Sequence, residues 1–387
     1  MKLDDSVALD AVAERDSLVV DGATRLFGTA VALRAVSLKV RPGEIVSVTG
    51  PSGAGKTTLA RTISGLECLD AGEIRCRGGR FDRVAARHRR VAHMFESYAL
   101  YPHRTVAENI ASPLLALPAS ERPSREGIRE RVDELLALTE MTVLADRLPG
   151  ALSGGQKQRV ALCRALVQKP SVLLLDEPLA HLDAKLRHRL RREIRLRLKS
   201  GNAPAIWFTP DATEALAVGD RVVVLIDGEV RQDGTPEEIH LQPADIGVAR
   251  LLGDPPMNLL DATLVDHAGV MVARHVAGTV TLPQRMRGAA EFLSASGACV
   301  LGLRPAAFDV RPAGTATDGL AGEIYTTEPM GKHMVISVRV GADLVRAKVE
   351  PGSAWRPGDR VVLCADPARV LVFSAESGRT VDPGSPP

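Results

Sequence analysis

Apolar residues cluster in short, dense runs over the first part of the chain. Leu18 to Val20, Val36 to Val40 and Ile45 to Thr49 read as strands, with a Pro42-Gly43 turn before the last. From about Ala86 to Arg164 the period lengthens. Arg, Glu and Leu recur at three to four residues there, which predicts helices. Val172-Leu173-Leu174-Leu175 has no polar alternation and reads as a strand buried on both faces. Strand and helix patterns alternate from there to Ile239. After Asp245 the texture changes to short β-rich runs parted by Gly and Pro, among them Met334 to Val340, Val345 to Val349 and Val361 to Leu363. The pattern predicts an α/β domain over residues 17–245, with a helical subdomain at about 88–165. A small all-β domain, a barrel or sandwich, is expected over 246–378. Residues 1–16 are expected to be a loosely ordered polar extension and 379–387 a tail.

Composition changes little in this picture. At 387 residues the chain exceeds one ordinary core, which agrees with two domains. A formal net charge of +2 and 3% aromatic residues offer neither a basic surface nor stacking platforms, so nucleic acid is not an expected partner. Cys68, Cys76, Cys163, Cys299 and Cys364 are odd in number and show no zinc-ligand spacing; reduced thiols in a cytosolic protein are expected. The acidic start (Asp4, Asp5, Asp10, Glu14, Asp16) does not read as a signal peptide. No apolar run reaches the ~18 residues of a membrane helix.

Candidate chemistry begins at Gly50-Pro51-Ser52-Gly53-Ala54-Gly55-Lys56-Thr57, which fits the P-loop pattern between a strand and a helix. Glycines let the backbone curl until several N–H groups face phosphate oxygens, and the helix that follows, read over Leu59 to Ile63, adds its positive end. Lys56 is expected to reach the β- and γ-phosphates of ATP, and the Thr57 hydroxyl to ligate Mg²⁺. Residues Gly50 to Thr58 together are the expected phosphate cradle.

A second part of the site is expected where Leu173-Leu174-Leu175-Asp176-Glu177 brings two carboxylates to a strand end, the place where α/β sheets bind ligands. Asp176 is assigned to Mg²⁺ and Glu177 to polarising the attacking water as general base. Leu152-Ser153-Gly154-Gly155-Gln156 precedes a helix expected over Lys157 to Val167, with Ser153 as its N-cap. That is a second helix start able to face an anion.

These three motifs, in this order, resemble the nucleotide-binding domain of ABC ATPases. The fold this implies is an α/β P-loop NTPase with a helical subdomain, followed by an all-β OB-like domain used for subunit contacts and regulation. Leu152 to Gln156 then corresponds to the signature motif. The resemblance implies a dimer in which Ser153, Gly154, Gly155 and Gln156 of one subunit close on ATP held by the other. It gives Asp183, in Leu179-Ala180-His181-Leu182-Asp183, a contact with the dimer partner, and Phe27 the stacking on adenine. Tyr98 to His103 and Thr105 to Ile110 resemble the segment of sugar-importer ATPases that receives the permease. Gly253 to Leu259 and Gly302-Leu303-Arg304-Pro305 resemble their C-terminal domain. Transmembrane permease subunits, an extracytoplasmic solute-binding protein and a place on the cytoplasmic face of the membrane follow from that likeness. The solute, and a homodimer against a heterodimer, stay open.

Two positions depart from the family. Glu96 stands where it carries a Q-loop Gln. Glu can still ligate Mg²⁺, but it brings a negative charge toward the γ-phosphate, a repulsion of ~3 kcal/mol at about 5 Å and an effective dielectric near 20. In Thr209-Pro210-Asp211, Pro210 replaces the switch histidine and supplies no side-chain donor. A lost donor to transition-state charge typically costs ~10²–10³ in rate. Two readings therefore remain beside each other: an ATPase that drives import itself, and a mainly nucleotide-binding subunit paired with an active ATPase chain. A soluble ABC ATPase acting on DNA or ribosomes is disfavoured by the single P-loop and single signature. His93, His103 and His181 are read as structural or surface residues.

Overall fold

A computed structural model describes residues 18–267, 269–286, 297–316 and 318–381. The expected extension at 1–16 and residues 382–387 lie outside them. The chain divides into two compact units between Glu237 and Glu238.

The first unit holds two sheets. β1 (Leu18–Phe27), β2 (Ala30–Val40), β4 (Ala71–Cys76) and β5 (Gly79–Arg80) form an antiparallel sheet in the order β2-β1-β4-β5. β3 (Ile45–Thr49), β6 (Val91–Met94), β7 (Val172–Asp176), β8 (Ala205–Thr209), β9 (Arg221–Ile226) and β10 (Glu229–Gly234) form the second, in the order β10-β9-β3-β8-β7-β6. It is parallel except for β10. Every residue of β3, β7 and β8 is buried, which is why these strands are mostly apolar with no strict polar alternation. Leu59 and Ile63 of α1 (Lys56–Ser64) pack with Leu18, Leu33 and Phe208 in one core. Leu162 of a later helix packs with Met94, Leu190, Ile194 and Trp207 in another.

The segment expected to be helical contains α2 (Val106–Leu115), α3 (Arg125–Leu138) and α4 (Gly154–Leu166). They share a core around Val106, Ile110, Leu135 and Val160. It also contains β6, a strand where a helical period was expected. β6 is four residues long and pairs parallel to β7, and that tertiary pairing overrides the local period. Helix α4 begins at Gly154, earlier than Lys157, directly after its Ser153 cap. Helices α5 (Ala184–Gly201) and α6 (Ala212–Val218) complete the unit.

The second unit is dominated by a ten-stranded sheet whose pairings are all antiparallel. Leu260, Leu301, Ile336, Val345 and Leu363 lie in its core. The strand Met334–Val340 coincides with its expected bounds. Asn258 is buried and ties two elements together: its amide donates to Leu303 and Arg346 carbonyls, each at 2.9 Å, and its oxygen accepts from the Arg346 N–H.

Two boundaries differ from the sequence reading. The second unit begins at Glu238 rather than 246. Residues before 246 bond to the β-rich unit: the Arg304 guanidinium donates to the His240 carbonyl, and the Thr380 N–H donates to the Ala244 carbonyl at 3.0 Å. The start of the expected tail is also packed. Thr380 bridges to Phe373, the Ser374 N–H donates to the Arg379 carbonyl, and Val381 is buried.

Candidate active site

The loop after β3 is shaped by what a side chain would hit. A Cβ on Gly50 would sit 1.9 Å from the Leu225 carbonyl oxygen, and one on Gly55 2.4 Å from that of Ala32. Gly55 also has φ 100°, in the left-handed region. The loop therefore passes close to the ends of β2 and β9 only as glycine. Ala54 is buried within it, while Pro51, Ser52 and Gly53 are exposed. Lys56 is buried, and its Nζ donates to the carbonyls of Gly50 at 2.8 Å and Pro51 at 2.9 Å. Burial lowers its pKa, and the charges of Glu177, Asp176 and Glu96 oppose that.

Asp176 ends β7 and is buried. Its Oδ2 accepts from the Thr57 hydroxyl at 3.3 Å. Its pKa is raised to about 6, first by burial and then by Glu96 and Glu177, against the Thr57 bond and Lys56. Glu177 follows at φ 48°, an uncommon conformation for a residue with a side chain. Its N–H donates to the Phe208 carbonyl at 2.9 Å, so β8 holds the turn in place. Its pKa is raised by burial and then by Glu96, while Lys56 and His181 act the other way. Lys56, Thr57, Asp176, Glu177 and Glu96 thus share one electrostatic neighbourhood. A hydroxyl and carboxylates form a hard oxygen donor set suited to Mg²⁺, and the glycine loop with its buried lysine suits a phosphate chain.

Ser153 caps α4 through a capping box. Its hydroxyl accepts from the Gln156 N–H at 3.4 Å, and its own N–H donates to Gln156 Oε1 at 2.9 Å. A Cβ on Gly155 would meet the His181 carbonyl oxygen at 2.7 Å, so this glycine lets the turn after Glu177 pass the helix. Asp183 is exposed and caps α5, accepting from the Leu186 N–H at 2.9 Å. Phe27 is 48% exposed, with the Arg25 guanidinium 4.7 Å from its ring centre. Glu67 and Asp70 hold that guanidinium, at 3.1 and 3.3 Å. Thr58 is half-buried behind the loop.

Glu96 and Pro210, the two positions expected to depart from the family, lie on loops, and both are exposed. Thr209 cannot stand in for a histidine donor in this arrangement. Its hydroxyl donates to Glu214 Oε2 at 2.6 Å and accepts from the Asp211 N–H. His181 and His93 are more engaged than surface residues. The Tyr98 hydroxyl lies 3.0 Å from His181 Nδ1. His93 has both ring nitrogens buried without a partner, and burial pushes its pKa down to about 4.

Sequence reading missed two residues that hold the site. Gln158, buried on α4, donates to the Glu177 carbonyl at 2.7 Å and accepts from the His181 N–H at 3.0 Å. It clamps the turn that carries the two carboxylates to the signature helix. Arg164 donates to the carbonyls of Tyr98 and Ala99 at 2.7 and 2.8 Å. Both of those residues have positive φ, so the arginine fixes a strained loop beside Glu96. The only signal for Gln158 in the sequence was a polar residue on the buried face of an amphipathic helix.

A family model described as ABC transporter matches residues 33–180, and one described as TOBE domain matches residues 301–373. The chain is 36% identical over 371 residues to the trehalose/maltose import ATP-binding protein MalK of Thermococcus litoralis, which covers 92% of this chain and 97% of that protein. It is 39% identical over 367 residues to the sulfate/thiosulfate import ATP-binding protein CysA of Bordetella parapertussis, covering 93% and 99%. A solved ATP-binding cassette, dimeric and bound to ADP and Pi in a post-hydrolysis state, superposes with a TM-score of 0.52 at 30% identity. It covers 57% of this chain and 98% of its own. The chain belongs to the ABC transporter ATP-binding proteins. It is an ATP-binding subunit and an ATPase, with a TOBE domain toward its C-terminal end.

Proposed function

We propose that this chain hydrolyses MgATP to drive an importer, working as a pair of cassettes beneath transmembrane permease subunits. The observation that carries this is the meeting of Thr57 and Asp176, 3.3 Å apart, beside Lys56 and Glu177. In this reading Gly50 to Thr58 wrap the phosphates and Lys56 exchanges its two carbonyl partners for phosphate oxygens. Thr57 and Asp176 would hold Mg²⁺, and Glu96, which shares their electrostatic neighbourhood, would be the further oxygen donor. Mg²⁺ supplies charge neutralisation of the phosphates when bound. Glu177 accepts a proton from the attacking water; its raised pKa makes it a better base than an exposed carboxylate. Phe27 offers a face to the adenine. Ser153, Gly154, Gly155 and Gln156 of one chain complete the site of the other, and Asp183 lies at the seam.

The partner class follows from the likeness to MalK and CysA, both named as import proteins. A groove of about 530 Å³, lined by His93, Phe95, Tyr101 and Arg164 among others, is a docking place for the permease. An extracytoplasmic solute-binding protein would deliver the solute. In this reading the solute is a sugar, with sulfate the competitor, since relatives named for each match over nine-tenths of the chain. A location on the cytoplasmic face of the membrane follows from these partners. Among the described residues no helix is long and apolar enough to span a bilayer.

Steady-state MgATPase of the purified chain tests the reading. Glu177→Gln should lower kcat by ~10²–10⁴ while nucleotide binding persists. A wild-type rate equal to that of the variant would sink the claim that this chain supplies the hydrolysis. The mainly nucleotide-binding reading would then take its place, with a partner ATPase to be sought in pull-downs of the native complex.

A further inference from the structure

Helix α5 is unusually basic for a chain whose formal net charge is only +2. Lys185, Arg187, His188, Arg189, Arg191 and Arg192 crowd its first half with no acid among them. An ordinary solvated helix mixes its signs, as α3 does with Glu126, Arg129, Glu130, Arg131, Asp133 and Glu134. In α5 the i, i+4 neighbours Lys185 and Arg189, and Arg187 and Arg191, set cation against cation. Beyond the Asp183 cap, the first turn has no acid to suit the helix dipole. The inner face is fixed, since Leu186, Leu190, Ile194 and Leu198 are buried and pack with Trp207. Arg195 and Lys199 pair with Asp220, and Arg197 pairs with Glu134, so the second half is largely neutralised. The first half is not. Arg189 meets Glu140 at 2.8 Å, but Lys185, Arg191 and Arg192 have no carboxylate partner among the described residues. Arg191 lies 2.5 Å from His188 Nδ1 instead. Lys185, His188, Arg189 and Arg192 are exposed, and Leu196, one turn further on, is 55% exposed.

From Lys185 to Leu196 this row runs ~16 Å along a helix anchored by its other face. A rigid row of cations of that length matches a planar array of phosphates better than one small anion. Nucleic acid fits less well, because none of the exposed side chains in the row is aromatic. A leucine among cations suits the boundary between headgroups and acyl chains. We propose that the outer face of α5, with Lys185, His188, Arg189, Arg192 and Leu196, docks on the anionic phospholipid headgroups of a membrane. Clusters of about four to eight basic residues on a helix act in this way. The proposal rests on the placement beneath a membrane argued above and extends it, since the cassette then touches lipid itself and not only permease subunits.

Flotation of the purified full chain with lipid vesicles tests this. The probes are phosphatidylcholine vesicles with and without phosphatidylglycerol. The chain should float with the anionic vesicles and stay behind with the neutral ones. Binding should collapse as salt rises from ~0.1 M to ~1 M, where the screening length falls from ~10 to ~3 Å. Lys185→Gln and Arg192→Gln should each weaken it about fivefold, and Lys185→Glu with Arg192→Glu should remove it. Arg356→Glu reverses an exposed charge in the other unit and should leave binding unchanged. Lys185 and Arg192 are exposed, so the single Gln variants read the surface even if the double variant misfolds. No binding to anionic vesicles at low salt, equal binding to neutral ones, unchanged binding in the Gln variants, or an equal loss in Arg356→Glu overturns the proposal. Neither permease nor hydrolysis enters the assay. A chain that fails to float leaves the MgATPase reading standing, and an inactive chain that floats leaves the lipid contact standing.

Discussion

Asp176 and Glu177 stand at the end of β7, and Thr57 opens the helix that the glycine loop joins to β3; every residue of both strands is buried. Glu96 and Pro210 stand on exposed loops that follow β6 and β8 of the same sheet. The strand-borne groups are fixed by parallel pairing on both sides and by glycines that admit no side chain. The loop-borne positions are held by a few side-chain bonds, such as Arg164 to the 98–99 carbonyls. The two departures expected from the family's pattern, Glu96 and Pro210, both fall on the loops. A site of this kind can retain its capacity to bind and cleave while its sensing of the γ-phosphate is rewritten.

If the loop half limits the rate, restoring it should have the largest effect. Pro210→His is expected to raise kcat by up to ~10²–10³, read in the MgATPase assay. An unchanged rate would mean the strand-end groups already suffice. Next comes the clamp that joins the turn after β7 to α4. Gln158→Leu strands a buried carbonyl and N–H, and kcat should fall about tenfold with little change in KM. An equal rise in KM would show that the clamp serves binding instead.

Glu96→Gln removes a carboxylate from the Asp176 and Glu177 neighbourhood. MgATP should bind several-fold more tightly, and the gain should shrink in high salt. Weaker binding would instead make the Glu96 oxygen a needed Mg²⁺ ligand.

The smallest effect concerns stability. Burial pushes the His93 pKa down to about 4, against the ordinary 6.5 of a histidine in water, so it stays neutral where an unfolded histidine is charged. Its contribution is present above about pH 6.5 and lost as pH falls toward 4. His93→Leu should flatten the decline of urea-midpoint stability over that window. An identical slope in the variant would place the acid sensitivity elsewhere.

Much of the strand-end half was legible because its constraints are local. A glycine-spaced loop, a lysine and a strand of four apolar residues followed by two acids announce themselves within a few positions. The strands Ile45–Thr49 and Met334–Val340 were read to the residue for the same reason. β6 was not, because Val91–Met94 is short, contains His93 and lies in a helical texture. The contacts that organise the loop half join residues far apart in the chain, with Tyr98 and His181 separated by 83 positions and Arg164 and Ala99 by 65. No local pattern encodes such pairs.

Gln158 holds Glu177 with one end of its amide and His181 with the other, and it rides on the helix that Ser153 begins. The face a cassette would offer its neighbour and the base it would use for itself are therefore mounted on a common shaft. In a two-fold pair, a nudge to one signature helix is also a nudge to that cassette's own trigger. Neither engine in such a pair would idle or fire without the other feeling the stroke.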